Sequence, residues 1–176
     1  QGDRALYNAL YGSRFAVQSS DVFAEKIGYS AAPVDDLLVF HIVFGKTVPD
    51  ISINAVANLG YANCRFLAPV YPGDTLTATS EVIGLKENSN GESGVVYVRS
   101  RGFNQHDDCV LDYVRWVMVR KADKEGVGSK AHVPALPDYV PVDALGDACP
   151  LLSVRDYDPV LSGSMFRFND YELGEQ

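Results

Sequence analysis

From Leu37 to Phe44 the chain reads Leu-Leu-Val-Phe-His-Ile-Val-Phe, apolar on nearly every side of a helix and interrupted only by His41. Asp35 and Asp36 precede it and suit the positive end of a helix dipole, while Pro33 stands where a first-turn proline is tolerated. Gly45, Lys46 and Pro49 are expected to end this helix. A helix without a polar face has to be enclosed on most of its circumference. The pattern that follows changes period. A strand-like run around Gly60 to Leu67 leads into three longer strand patterns. Between Thr75 and Gly84, Leu76, Ala78, Ser80 and Val82 alternate with Thr75, Thr77, Thr79 and Glu81. Asn88-Ser-Asn-Gly91 supplies a turn whose residues accept positive φ. Gly94 to Asn104 carries Val95-Val-Tyr-Val98, Gln105-His-Asp-Asp108 turns again, and Cys109 to Arg120 adds Val, Tyr and Trp116. A long antiparallel sheet curled around one buried helix, an α+β fold, satisfies all of these patterns.

Before the apolar helix the chain opens in a helical pattern, Asp3 to Tyr11, with Gly12 as its stop. A second short helix is predicted from Ser20 as N-cap through Phe23, Ala24 and Ile27 to Gly28. Beyond Arg120 the periodicity fades. Residues 122–160 collect Gly126, Gly128, Pro134, Pro137, Pro141, Pro150 and Pro159, a linker longer than the usual connection inside a domain. From Met165 to Gln176 the chain turns aromatic again.

Charge and cysteine usage narrow the classes. A net charge of −8 gives no electrostatic reason to expect nucleic acid or an anionic membrane as partner. The three cysteines, Cys64, Cys109 and Cys149, lack zinc-site spacing and disulfide-framework density. They read as reduced structural thiols, which fits a cytoplasmic protein. No apolar run approaches the roughly 18 residues that span a bilayer. No His/Cys/carboxylate cluster has ligand spacing, so neither a metal nor a redox cofactor is implied.

Certain stretches are recognisable. Arg65-Phe-Leu-Ala-Pro-Val-Tyr-Pro-Gly-Asp-Thr-Leu76 resembles the signature of MaoC-like hydratases. Phe40 to Ser52, Asn54 to Ala62 and Leu111 to Arg120 resemble one subgroup, the mesaconyl-CoA hydratases, also called β-methylmalyl-CoA dehydratases or 2-methylfumaryl-CoA hydratases. The resemblance runs from about residue 3 to 121 and resumes at Phe166 to Glu175. It implies the hotdog fold, with the helix as filling and the sheet as its wrap. It further implies two tandem hotdog units, of which residues 1–121 are the first, without its first strand, 122–160 the linker, and 161–176 the start of the second. The substrate implied is an acyl-CoA, a branched C5 dicarboxyl enoyl thioester. The partner implied is a second hotdog unit, in the same protein or in a homo-oligomer such as a dimer.

Enoyl-thioester hydration needs a group to activate water, a group to move the α-proton, and donors for the thioester oxygen. MaoC-like enzymes supply an Asp and a His five positions apart on the loop after the first helix. The resemblance sets Ser13 at the aspartate position and Gln18 at the histidine position, neither of which can serve as a general base near neutrality. Asp35-Asp36 replaces the His-Gly that usually opens the central helix. This half is therefore expected to be non-catalytic and to shape the pocket, with Asp36, Phe40, His41, Phe44, Asn58 and Tyr61 as its substrate-binding residues. Each also has a blander reading. His41 reads more readily as a core or pocket-wall histidine than as a base, and Asp35 and Asp36 as a helix-start charge pair. Asn58 and Asn63 serve pocket contacts or turn bonds equally well. His106 and His132 read as solvated. Arg65, Arg115 and Arg120 could meet CoA phosphates, but pairing with surface carboxylates is the stronger reading. A non-enzymatic acyl-CoA-binding scaffold is a second hypothesis. A thioesterase is a third, with Asp36 as its sole candidate carboxylate.

Overall fold

The computed structural model describes residues 2–12, 15–123, 131–144, 152–162, 166 and 168–175. They fall into two compact units, Gln1–Asp35 with Cys149–Gln176, and Asp36–Ala148. Ser13 and Cys149 lie outside the described residues.

The first unit holds α1 (Gly2–Tyr11), α2 (Ala16–Ser19) and α3 (Asp21–Ile27). Gly12 follows α1 at φ +61°, the left-handed region in which glycine carries no Cβ penalty, and its amide donates to the Asn8 carbonyl. Ser20 caps α3 as predicted, its side chain accepting from the Phe23 amide, and Gly28 ends the helix at φ 114°. Phe23 is buried, with the Tyr157 ring edge-on at 5.3 Å. Two further links hold the returning chain to α3: the Ser153 amide donates to the Ile27 carbonyl, and Lys26 pairs with Asp158 at 3.0 Å.

The second unit contains α4 (Asp36–Ile51) and the strands β1 (Ala55–Phe66), β2 (Thr77–Glu87), β3 (Ser93–Phe103) and β4 (Cys109–Arg120). The strands form one antiparallel sheet in the order β1-β4-β3-β2, and α4 packs on the β2, β3 and β4 side of it. Val39, Val43 and Thr47, spaced four apart, are the buried stripe of the helix. A Cβ on Gly102 would lie 2.6 Å from a Val43 methyl carbon, so β3 needs glycine where the helix crosses it. On β4, Leu111, Tyr113, Arg115 and Val117 form one face by strand alternation, and all four are buried.

The opposite face of the sheet is covered differently. Trp116 lies across Gly60, where an added Cβ would be 2.4 Å from its ring, and stacks with Tyr97 at 6.0 Å. Arg99 and Asp112 form a two-bond ion pair. The segment after β4 returns over this side: His132 exchanges two backbone hydrogen bonds of 2.8 Å with Leu85 on the free edge of β2. Pro134 and the His132 carbonyl fill the space that a side chain at position 84 would need.

Three expectations change. The helix begins at Asp36 rather than at Pro33, because Ala32 is held in the preceding extended stretch by Asp21 at its amide and Arg4 at its carbonyl. It also continues through Gly45, Lys46 and Pro49 to Ile51. Pro49 sits in the last turn, where its missing amide frees only the Gly45 carbonyl, and Gly45 is exposed. Nor is α4 enclosed by these residues on most of its circumference, since Leu37 is 58% and Ile42 37% exposed. The apolar pattern exceeds what one four-stranded sheet covers.

Candidate functional site

Phe40 and Phe44 are one turn apart on α4, so they share a face and stack at 5.7 Å. Across from them stand Tyr61 of β1 and Tyr113 of β4. The Phe40 ring is 5.7 Å from Tyr61 and 5.2 Å from Tyr113, and Phe44 is 6.4 Å from Tyr61. These spacings and tilts are those of mutually attractive aromatic pairs. Tyr61 is 43% exposed and Tyr113 fully buried, so the cluster runs from solvent into the core.

Its inner end is an arginine. Arg115 is 0% exposed, with its guanidinium carbon 4.7 Å from the Phe44 ring centre. It donates to Ser52 Oγ at 2.9 Å, to the Thr47 carbonyl at 3.1 Å and to Thr47 Oγ1 at 3.2 Å. The Thr47 carbonyl belongs to the last turns of α4, where the helix dipole is negative, so the helix end is the cation's principal electrostatic partner. That partner is a partial charge. A fully buried cation costs several kcal/mol unless an anion compensates it.

The same face carries further unmet polar groups. Nε of Arg115, the Tyr113 hydroxyl and Ser100 Oγ are buried and have no hydrogen-bond partner among the described residues. Ser100 and Tyr113 are direct cross-strand partners, and Val98 opposite Arg115 is the next pair on the same face, two residues along. Tyr61 is held protonated: burial pushes its hydroxyl above 10.0, against the lowering effects of a hydrogen bond with Asn58 and the charge of Arg115. The Cys64 thiol is pushed above 9.0, first by burial of the thiol and then by the Asp112 and Asp36 carboxylates, although the residue as a whole is exposed. It is not a ready nucleophile. This arrangement offers an apolar aromatic wall and buried hydrogen-bond donors.

Of the residues singled out from the sequence, Phe40, Phe44 and Tyr61 come together here, with Asn58 hydrogen-bonded to Tyr61. His41 is exposed on α4, its ring edge-on to Phe40 at 5.9 Å. Asp36 is exposed in the first turn of α4. Gln18 is half-buried on α2 in the other unit, and the Ser13 position lies outside the described residues. Asn63 takes φ 52° where the β1–β4 register shifts, between Ala62 and Arg65. With Arg65, Ile83, Arg99, Asp112 and Pro134 it lines a cavity of about 380 Å³ on the outer face. The preferred surface reading of Arg115 is overturned, because the residue is fully buried and forms none of the ion pairs among the described residues. Tyr113 and Ser100 were missed. Alternation from Leu111 through Tyr113 and Arg115 to Val117 is the signal that would have found the first two of this polar set. Among the described residues no group of three His, Cys, Asp or Glu could hold a metal ion, and no helix is long and apolar enough to cross a membrane.

Comparison with known proteins adds the decisive observation. The profile of the family described as mesaconyl-CoA hydratase matches residues 16–138. The chain belongs to this family. It is 58% identical over 177 aligned residues to the β-methylmalyl-CoA dehydratase of Chloroflexus aurantiacus, covering 100% of this chain and 50% of that protein. It thus spans about half the length of that relative. A solved MaoC-domain dehydratase from Chloroflexus aurantiacus J-10-fl matches with TM-score 0.85 and 58% identity, covering 99% of this chain and 49% of the other. A Mycobacterium tuberculosis protein with a double hotdog fold matches with TM-score 0.61 and 25% identity, over 76% of this chain and 45% of that one. The helix-on-sheet unit is a hotdog.

Proposed function

We propose that the chain is the N-terminal, non-catalytic half of a cytoplasmic MaoC-like hydratase that interconverts β-methylmalyl-CoA and mesaconyl-CoA. The observation that carries this reading is identity of 58% along the whole chain to a relative twice its length. The reaction adds water across an enoyl thioester, a hydroxyl to the β-carbon and a proton to the α-carbon. It needs a base near neutrality and donors for the thioester oxygen. The cluster of Phe40, Phe44, Tyr61 and Tyr113 offers an apolar wall and a protonated Tyr61, which is suited to holding the acyl part rather than activating water. The working Asp–His pair then belongs to a second hotdog unit, and no metal or redox cofactor takes part. Pairing with that unit, or with another copy in a dimer, would cover Leu37 and Ile42 on α4, which are exposed here.

The test is turnover. The intact polypeptide carrying this chain is expected to consume mesaconyl-CoA reversibly, followed by the loss of enoyl-thioester absorbance, and this chain alone is expected to have no activity. Turnover of neither compound by the intact polypeptide removes the substrate assignment. Activity of this chain alone removes the non-catalytic one.

A further inference from the structure

We propose that Arg115, with Tyr113 and Ser100 beside it, recognises the free carboxylate of the dicarboxyl thioester, an inference that rests on the hydratase reading and names the group this half holds. The guanidinium is fully buried, and its partners, Thr47, Ser52 and the Phe44 ring, are all neutral. The ion pairs among the described residues are Lys26–Asp158, Arg99–Asp112, Arg101–Glu81 and Lys121–Glu87, and none includes it. Among the described residues Nε–H is without an acceptor, as are the hydroxyls of Tyr113 and Ser100 on the same face. Guanidinium N–H groups only donate, and each hydroxyl proton also needs an oxygen to receive it. A cation with one unmet donor of its own, beside two unmet hydroxyls, calls for an anion with more than one oxygen, and a carboxylate accepts in that manner from an arginine fork. Water would satisfy the hydrogen bonds but leave the charge unmatched.

The surroundings select the rest of the ligand. Phe40, Phe44 and Tyr61 form an aromatic wall from the guanidinium toward solvent, which suits the short branched carbon skeleton between carboxylate and thioester. Phe44 lies over the guanidinium and is itself half-buried, so turning its ring aside uncovers the cation from the side where Tyr61 meets solvent. The remainder of the family's substrate, the thioester and CoA, stays toward that opening.

Binding to the intact polypeptide separates this from a purely structural arginine. The probes are 2-methylsuccinyl-CoA and 2-methylbutyryl-CoA, which differ by carboxylate against methyl and, being saturated, cannot be hydrated. Titration calorimetry is expected to show the first bound about 30- to 100-fold more tightly, the scale of a charged hydrogen-bonded pair. Arg115→Met is expected to abolish that preference, chiefly by weakening 2-methylsuccinyl-CoA, and Arg115→Lys to restore part of it. Tyr113→Phe is expected to cut the preference about fivefold at an unchanged melting temperature, since its hydroxyl has no protein partner to lose. Equal binding of the two probes by the natural protein overturns the proposal, as does equal weakening of both in Tyr113→Phe. Should Arg115→Met not fold, Tyr113→Phe decides alone. A protein that discriminates the probes yet never turns over mesaconyl-CoA overturns the hydratase reading and keeps this one.

Discussion

Arg99 and Arg115 stand on adjacent paired strands and face opposite sides of one sheet. Arg99, with its side chain 44% exposed, has a two-bond carboxylate partner in Asp112. Arg115, fully buried, has none among the described residues. Solvation alone would assign the partners the other way round. Water already stabilises an exposed cation, and a surface ion pair adds only about 0–1 kcal/mol, whereas a buried cation needs compensation. The Arg99 charge on the outer face is thus matched, while the helix-facing side carries an unbalanced charge beside unmet donors. Residue types alone do not distinguish these two arginines; their neighbours do.

The largest expected effect comes from emptying the inner site. Arg115→Ala should cost about 3 kcal/mol or more in urea unfolding, through the cavity it leaves and the lost bonds to Thr47 and Ser52. Arg115→Met, which keeps the volume and removes the unmatched charge, should stay within about 1 kcal/mol of the natural protein. A loss of equal size in both would mean that the charge itself holds the fold together, and the contrast between the faces would fall.

A middle-sized effect is expected from Gly102→Ala. Its methyl would lie 2.6 Å from a Val43 methyl carbon, and such overpacking costs about 1–3 kcal/mol. Adding Val43→Ala should recover much of this in a double-mutant cycle, and simple additivity would show that α4 does not press on β3 here.

The smallest effect belongs to the outer face. Asp112→Asn should change stability by about 0–1 kcal/mol, less at high salt. It should also speed alkylation of Cys64 and Cys109, because the Asp112 carboxylate is among the causes that raise both thiols above 9.0, second to burial. The variant should therefore react about two- to threefold faster with iodoacetamide at pH 8, read by mass spectrometry, and both proteins should speed up as pH rises through 9. Slower alkylation would reverse the assigned sign.

Much of the second unit was legible because its patterns are local. The turns at Asn88–Gly91 and Gln105–Asp108 separate β2, β3 and β4 within a few residues of expectation. The Ser20 cap and Gly28 stop hold as read. The helix end was misread because Pro49 signals a break in isolation, whereas in the last turn it costs little and Thr47 is held by Arg115. Phe40, Phe44 and Tyr61 come together because aromatic residues on a central helix and on the following strand meet across a sheet. Arg115 was misassigned because a charged residue is ordinarily exposed. Only its phase within β4, shared with Leu111, Tyr113 and Val117, marks it as interior.

The crossing of His132 over Leu85 sets a length limit. Those two hydrogen bonds occupy the outer edge of β2 at its far end, close to where Pro134 lies against Gly84. Any strand that adds to this edge has the stretch from Thr77 to Val82 to zip along and meets a stop before Leu85. At about 3.3 Å per residue that is a docking rail of roughly 20 Å. The returning segment is a register stop: it fixes how far an incoming strand can slide, and so which of its side chains face the interior.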